Sequence, residues 1–165
     1  KTFDGMLATP LSLEEIIIAE IAWSGTKSVG AATIMITVLG LMGFVQFPVG
    51  LLLIPLAFFG GLAFGAIGMF FTGIIPTIDM FNLPIFLFIT PMFLFSGTFF
   101  PVSNLPVWAQ PVALAFPLYH LVELARRFSI GNNEISLIIS IVYLTVFFLF
   151  FTNLALGAMR KRLIQ

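Results

Sequence analysis

The chain has 165 residues, of which 60% are hydrophobic and only 8% are charged, and its 7 basic and 7 acidic side chains cancel. Soluble domains carry about 25% charged residues, and a chain of this size has too much surface for its volume to hide so many apolar side chains from water, so an ordinary soluble domain is excluded. The zero net charge gives no reason to expect a nucleic-acid partner, and the lack of cysteine excludes disulfides and thiolate chemistry.

The first 22 residues are polar or amphipathic and precede any apolar span. The chain starts at Lys1 rather than Met and shows no signal-peptide pattern, so we expect it to be part of a longer protein. Two helix starts are possible in this segment. One is Thr9 with Pro10 at the first helical position, and the other is a capping box from Ser12 to Glu15.

This segment, residues 1–22, is predicted to form a short helix at the cytoplasmic membrane surface. Glu14 and Glu15 would lie in its first turn, where the helix dipole favours acidic side chains. Apolar side chains such as Met6 and Leu7 either anchor the following span in the interface or dock into a partner.

Long gaps between charged residues predict four membrane spans. The gaps lie at 28–78, 80–122 and 135–159. A helix needs about 20 apolar residues to cross the hydrocarbon core. The predicted spans cover residues 27–46, 49–75, 84–100 and 135–157.

The turns between the first three spans follow from Pro, Gly and one acid. Pro48 and Gly50 divide the first gap, since Pro lacks an N–H and Gly loosens the backbone. Asp79 follows the second predicted span. An acid inside a membrane would be a functional candidate, but Asp79 lies near Pro76 and Asn82, so we interpret it as a solvated turn residue.

The stretch 101–131 is too broken for a regular span and too apolar for a free loop. It contains Pro101, Pro106, Pro111 and Pro117. Non-helical backbone at membrane depth survives only when it is buried in protein or lines a wet cavity. We predict short re-entrant helices that dip into the outer face of the membrane.

Four spans place both ends of the chain on the same side. That side carries Lys1, Lys27 and the basic cluster at 160–162, whereas the other side carries Arg126 and Arg127. The positive-inside rule therefore predicts that both ends are cytoplasmic. The predicted fold class is all-α, a polytopic transmembrane helical bundle.

Ala57, Gly61 and Gly65 recur every four residues and share one face of the second predicted span. Small residues let membrane helices approach closely. We interpret this face as intramolecular helix packing, and a dimer seam or a substrate-facing wall are the alternatives.

His120, Glu123 and Arg126 follow one another at three-residue spacing, so they can share a helix face. One His and one Glu are too few for zinc, which takes three protein ligands even in catalytic sites. A serine–histidine–acid set is not evident either. The group is either a surface helix with internal ion pairs or a polar wall at an exit vestibule, where Arg126 could meet anionic head groups.

Three segments together resemble the permeases of type-2 ABC exporters, the ABC-2 family, in its NodJ-like branch. They read MLATPLSLEEI at 6–16, FSGTFFPVSNLP at 95–106 and FPLYHLVELAR at 116–126. The resemblance covers essentially the whole chain. A glycine-rich phosphate-binding loop is absent from the sequence, so this segment of chain would not itself harvest energy from nucleotide.

The resemblance implies an exporter subunit of the bacterial inner membrane. Such permeases have six spans, pair as homodimers, contact membrane lipid and export lipo-oligosaccharides, polysaccharides, lipids or drugs. A separate cytosolic ATPase, NodI-like in this branch, carries the ATP and Mg. The resemblance therefore implies that the family's first two spans and N-terminal helix are not part of this sequence.

The resemblance also implies two groups of functional residues, none of them catalytic or metal-binding. The ATPase-coupling residues would be Met6, Leu7, Thr9, Pro10, Ser12, Glu14 and Glu15. The residues of the re-entrant outer gate would be Ser96, Gly97, Phe100, Pro101, Leu105, Pro106, Pro117, His120, Glu123 and Arg126.

Two other functions stay open from the residues alone. A membrane-embedded enzyme acting on lipid-linked sugars would use His120 and Glu123, and would turn over without an ATPase. A channel or assembly subunit would conduct or scaffold without nucleotide, and no ATPase would co-purify with it.

Overall fold

The computed structural model of the chain describes residues 11–45, 47–130 and 137–163. Every regular element within these ranges is helical, which confirms the all-α class for the described residues. The helices are α1 (Leu13–Leu41), α2 (Leu53–Ile74), α3 (Asp79–Phe95), α4 (Gln110–Leu114), α5 (Pro117–Ile130) and α6 (Leu137–Leu163). A 3-10 turn at Val49–Leu52 leads directly into α2.

Three helical stretches are long and apolar enough to cross a membrane. They are Leu13–Leu41, Val49–Ile74 and Leu137–Arg162, and they overlap three of the four predicted spans. The first begins well before residue 27 and ends at Leu41, so one continuous helix includes the end of the predicted surface segment and most of the first predicted span. It continues because Ile17 and Ile21 are buried against the other helices.

Helices α1, α2 and α6 form a tightly packed core of three. Its buried side chains are Ile17, Ile21, Ala66, Met69, Ala155 and Met159. Glycine allows α2 and α6 to approach closely: a methyl group added at Gly73 of α2 would lie only 2.7 Å from the Cβ of Ala158 in α6. Small residues therefore set the spacing of this core.

The helix directions follow from contacts at one end of the core. Arg162 of α6 donates to the carbonyl of Ile75 just after α2 (2.9 Å), so α2 and α6 run in the same direction. Glu14 in the first turn of α1 pairs with Arg160, so α1 runs in the opposite direction. The chain between Ile75 and Leu137 must therefore return along the core.

The apolar helix within that returning stretch is α3, which is shorter than the three long helices. At 1.5 Å per residue it is about 25 Å long, against about 30 Å for a hydrocarbon core. A π-helical turn at Ile85–Ile89 interrupts it. There the Thr90 hydroxyl donates to the Ile85 carbonyl (2.9 Å), and the next residue, Pro91, has no N–H to donate.

The turn between α4 and α5 is inserted between α3 and α6. The ring of Phe116 in this turn lies 6.5 Å from Phe88, in the middle of α3, and 6.2 Å from Phe95. On the other side, the Tyr143 hydroxyl donates to the Ala115 carbonyl. Tyr143 lies about 9 Å along α6 from its N-terminus at 1.5 Å per residue, so the turn reaches below the end of α6.

Candidate functional site

The described part of the predicted coupling set caps the start of α1. The Ser12 N–H donates to the Glu15 carboxylate (2.7 Å) and the Glu15 N–H donates to the Ser12 hydroxyl (3.3 Å), which are the two bonds of a capping box. Glu14 instead forms an ion pair with Arg160 at the end of α6. The other predicted coupling residues, Met6, Leu7, Thr9 and Pro10, lie outside the described residues.

At the opposite end of the molecule, Arg126 of α5 holds the loop that follows α3. Gly97 has a φ of +78°, a left-handed conformation that favours glycine, and it turns the chain out of α3. Arg126 donates to the Gly97 carbonyl and lies 3.4 Å from the Glu123 carboxylate. Glu123 is buried, and the arginine supplies the positive charge that a buried carboxylate requires.

The other predicted gate residues divide between interior and surface. Ser96 is buried, and its hydroxyl donates to the Phe93 carbonyl (2.9 Å). Pro117 is fully buried at the start of α5, and Leu105 packs on a small cluster that includes Tyr119. Phe100 is half-buried, whereas Pro101 and Pro106 are exposed.

His120 joins α5 to α6 and to the end of α4. Its Nε2 lies 2.9 Å from the Leu114 carbonyl, and because a carbonyl only accepts, this nitrogen carries a hydrogen. Its Nδ1 lies 3.2 Å from the Ser140 hydroxyl, which donates to it in the neutral imidazole. The ring stacks on Tyr143 with centroids 4.1 Å apart.

The His120 ring is therefore a structural joint. The side chain is only 3% exposed, and both ring nitrogens bond to protein atoms. Burial lowers the pKa of His120, and the hydrogen bond to the Leu114 carbonyl opposes that shift only in part. The described residues also contain no group of three His, Cys, Asp or Glu side chains that could hold a metal ion.

Gly61 and Gly65 of the predicted small-residue face lie against α1. The Ser24 hydroxyl donates to the Gly61 carbonyl (2.8 Å) across the two helices, and a methyl group added at Gly65 would lie 1.9 Å from the Ser24 Oγ. Ala57 lies on the same face of α2 but lines the cavity described next, together with Gly61.

An apolar cavity of about 540 Å³ lies between α2, α3 and α5. Phe88 and Met92 of α3 form one wall, and Ala57 of α2 and Leu121 of α5 form the opposite side. Ser28 of α1 contributes a polar side chain to the lining. The cavity is built to contact hydrocarbon rather than ions or sugars.

Sequence reasoning missed Ser140, Tyr143 and Arg162. Ser140 and Tyr143 are polar side chains at three-residue spacing in an apolar span, and this spacing places them on one helix face. That pattern is a usable signal, because polar groups inside a membrane helix need partners. Arg162 contributes only a positive charge to the sequence pattern, and nothing in its local sequence indicates that it bonds to α2.

The helices define a polytopic α-helical membrane protein, and comparison with known proteins gives its family. The chain matches the family model described as "ABC-2 type transporter" over residues 1–128, so it belongs to the ABC-2 type transporter family. This confirms the resemblance found in the sequence.

The relatives are bacterial proteins. The chain is 34% identical to "Nodulation protein J" of Sinorhizobium fredii (strain NBRC 101917 / NGR234), over 100% of this chain and 63% of that protein. It is also 34% identical to "Nodulation protein J" of Rhizobium leguminosarum bv. viciae, over 100% of this chain and 64% of that protein.

A more distant relative is "Probable multidrug ABC transporter permease YbhR" of Escherichia coli (strain K12), 23% identical over 83% of this chain and 38% of that protein. No solved structure matches the chain. The chain thus spans a little under two thirds of the length of the nodulation proteins it matches.

Proposed function

We propose that the chain is part of the membrane permease of an ATP-driven ABC exporter in the bacterial inner membrane. The substrate would be amphipathic: a lipo-oligosaccharide, polysaccharide, lipid or drug-like molecule moved out of the cytoplasm. Family membership supports the permease role, and the relatives are called nodulation and multidrug transport proteins. The apolar wall between α2 and α3 suits the apolar part of such a substrate.

One structural observation carries the proposal. The α4–α5 turn is packed between α3 and α6 at one end of the bundle, while the capped start of α1 lies at the other end. A transporter driven from one side of a membrane needs this polarity, with an input element on one face and a gate on the other.

This arrangement supports four crossings with both ends cytoplasmic. The start of α1 and the end of α6 lie together, and α3 supplies the return between α2 and α6. In this arrangement, residues 101–131 include the re-entrant outer gate, in which Arg126 holds the Gly97 turn and His120 holds α5 to α6.

The partners we propose are a cytosolic NodI-like ATPase, which carries ATP and Mg, and a second copy of the permease. The segment at 1–22 would rest on the ATPase and receive its motion. The capping box at Ser12 supports this role, because it gives α1 a defined start within the segment.

The enzyme alternative is disfavoured by the contacts of its two residues. His120 bonds through both nitrogens to the protein, and Glu123 is buried beside Arg126. Neither side chain presents a free atom to a lipid-linked sugar. A channel or assembly role without nucleotide is left to the test below.

The test is reconstitution of the full-length protein with its ATPase in phospholipid vesicles. The double change Thr9→Ala and Pro10→Ala is expected to reduce both ATPase stimulation and ATP-dependent movement of a fluorescent acylated oligosaccharide. The reason is that both residues lie in the proposed contact with the ATPase. Each quantity would be normalised to the amount of folded protein in the vesicles.

Lys161→Gln is the control, because Lys161 lies outside both the coupling segment and the proposed gate, is exposed, and makes no hydrogen bond or ion pair with another described residue. Unchanged stimulation and transport in the double variant would refute the coupling role. Probe movement that needs no ATP would favour a channel.

A further inference from the structure

Arg162, a residue of α6, caps the C-terminal end of α2. The last carbonyls of a helix have no N–H partner within it, and the helix dipole leaves negative partial charge there. The last turn of α2 has no basic residue of its own. Arg162 of α6 donates through Nη1 to the carbonyls of Thr72 and Ile75, the latter at 2.9 Å.

Two residues earlier on α6, Arg160 reaches the start of α1. Its partner is Glu14, because the neighbouring Glu15 carboxylate is bonded to Ser12. The side chains of Arg160 and Glu14 are 58% and 47% exposed. An exposed ion pair adds little to folding stability, so this pair can be removed without unfolding the protein.

The three-helix core begins directly beside these ion-pair and capping residues. Met159, next to Arg160, is 1% exposed, and Ile17, one turn after Glu14, is 0% exposed. Close-packed interiors transmit displacement rather than absorb it. A force applied to any one of the three helix ends is therefore passed to the other two.

Helix α3 lies outside this set of contacts. Within the described part of the chain, Glu14, Arg160 and Arg162 bond only to one another and to the end of α2. The cavity of about 540 Å³ separates much of α3 from α2. One ring contact between the two helices joins Phe71 and Phe88, whose centroids are 5.9 Å apart. Movement of α3 relative to α2 would change this contact and leave the contacts of Glu14, Arg160 and Arg162 intact.

We infer that Glu14, Arg160 and Arg162 form a clasp that makes α1, α2 and α6 move as one body. The inference rests on the proposed function, since it assigns the route by which force from the ATPase enters the spans. The coupling segment pushes the start of α1, the clasp passes the push to α6 and α2, and the cavity beside α3 changes width. The three residues are positioning residues for transport.

The first experiment measures probe molecules moved per ATP hydrolysed, using the full-length protein, its ATPase and a fluorescent acylated oligosaccharide in phospholipid vesicles. In Arg162→Gln this ratio is expected to fall about fivefold, the size of a typical coupling between sites. ATP hydrolysis should persist, because the ATPase contact is intact. Glu14→Arg should also lower the ratio, and combining it with Arg160→Glu should restore it.

Lys161→Gln is the matched control. Lys161 lies between the two arginines, is exposed, and makes no hydrogen bond or ion pair with another described residue. It should keep the wild-type ratio. An unchanged ratio in Arg162→Gln, or an equal fall in Lys161→Gln, would overturn the clasp.

A second measurement needs no transported probe. Spin labels at Leu11 and Lys161 report the distance between the ends of α1 and α6, and labels at Asp79 and Lys161 report the distance from α3. With the ATPase present, ATP should change the second distance and leave the first unchanged. A change in the first distance would overturn the clasp, whereas wild-type vesicles that move no probe on addition of ATP would instead overturn the proposed function.

Discussion

At the scale of single residues, the polar side chains of this protein are used to join helices. His120, Arg126 and Ser24 each bond to a backbone carbonyl on another element. A buried polar group left without a partner is costly in an apolar environment, so each of these bonds specifies which helices meet. None of the three side chains is arranged for covalent chemistry.

The joint made by His120 can be tested by removing it. His120→Ala should lower the free energy of unfolding by about 1–3 kcal/mol, because the Leu114 carbonyl and the Ser140 hydroxyl lose their partner in a buried site. Unfolding in detergent micelles measures the change. The exposed Ser103→Ala variant should unfold like the wild type, and equal stability of His120→Ala would refute the joint.

At the scale of elements, the contact between α1 and α2, the α1–α2 seam, depends on glycines, which have no side chain. Gly61 and Gly65 leave room for Ser24, whose single hydroxyl hydrogen is shared between the Ile21 carbonyl in its own helix and the Gly61 carbonyl in the next. The four-residue spacing of small residues therefore makes room on one helix face for the Ser24 side chain. Close approach of the backbones is what makes this interhelical hydrogen bond possible.

A methyl group at Gly65 should force the two helices apart. Gly65→Ala is expected to cost about 1–3 kcal/mol of stability, the usual range for overpacking. Adding Ser24→Ala should recover part of the loss, because the clashing Oγ is removed. Thermal unfolding in detergent checks both.

The control for this seam is Gly68→Ala, since a methyl group there meets nothing within 4 Å. It should leave stability unchanged. If Gly65→Ala were as stable as this control, the helices would not approach as closely as described.

At the scale of the whole molecule, the direction of each long helix decides the topology. The ends of α2 and α6 meet through Arg162, so the chain between them must return along the core, and in our proposal α3 brings it back across the membrane. This argument does not depend on the hydropathy of α3. It explains why a helix shorter than the usual membrane span serves as one of the four crossings in our proposal.

Single cysteines test this topology, and the native chain contributes none of its own. Introduced at Asp79, Val107 or Lys161 in an otherwise cysteine-free full-length protein, they would be probed with a membrane-impermeant maleimide on intact cells. Val107, which is 83% exposed, should react from outside. Asp79 and Lys161 should react only after permeabilisation, and labelling of Asp79 from outside would exclude a crossing by α3.

The sequence by itself determined the membrane class, the all-α fold and the family. Hydrophobic runs and charge gaps are local properties, and a bilayer leaves helices as the simplest way to satisfy the backbone of such runs. The Ser12–Glu15 capping box was one of the two helix starts predicted from the sequence, because both of its bonds lie within one turn. The three segments at 6–16, 95–106 and 116–126 together were sufficient to recognise the family.

The tertiary structure decided which distant residues meet. The pairing of Glu14 with Arg160, the capping of α2 by Arg162, and the bond from Ser140 to His120 join positions that no local pattern connects. The extension of α1 back to Leu13 was also decided this way, since Ile17 and Ile21 are held by the other two helices. Such contacts depend on how whole helices are oriented, and orientation is set by packing after each helix has formed.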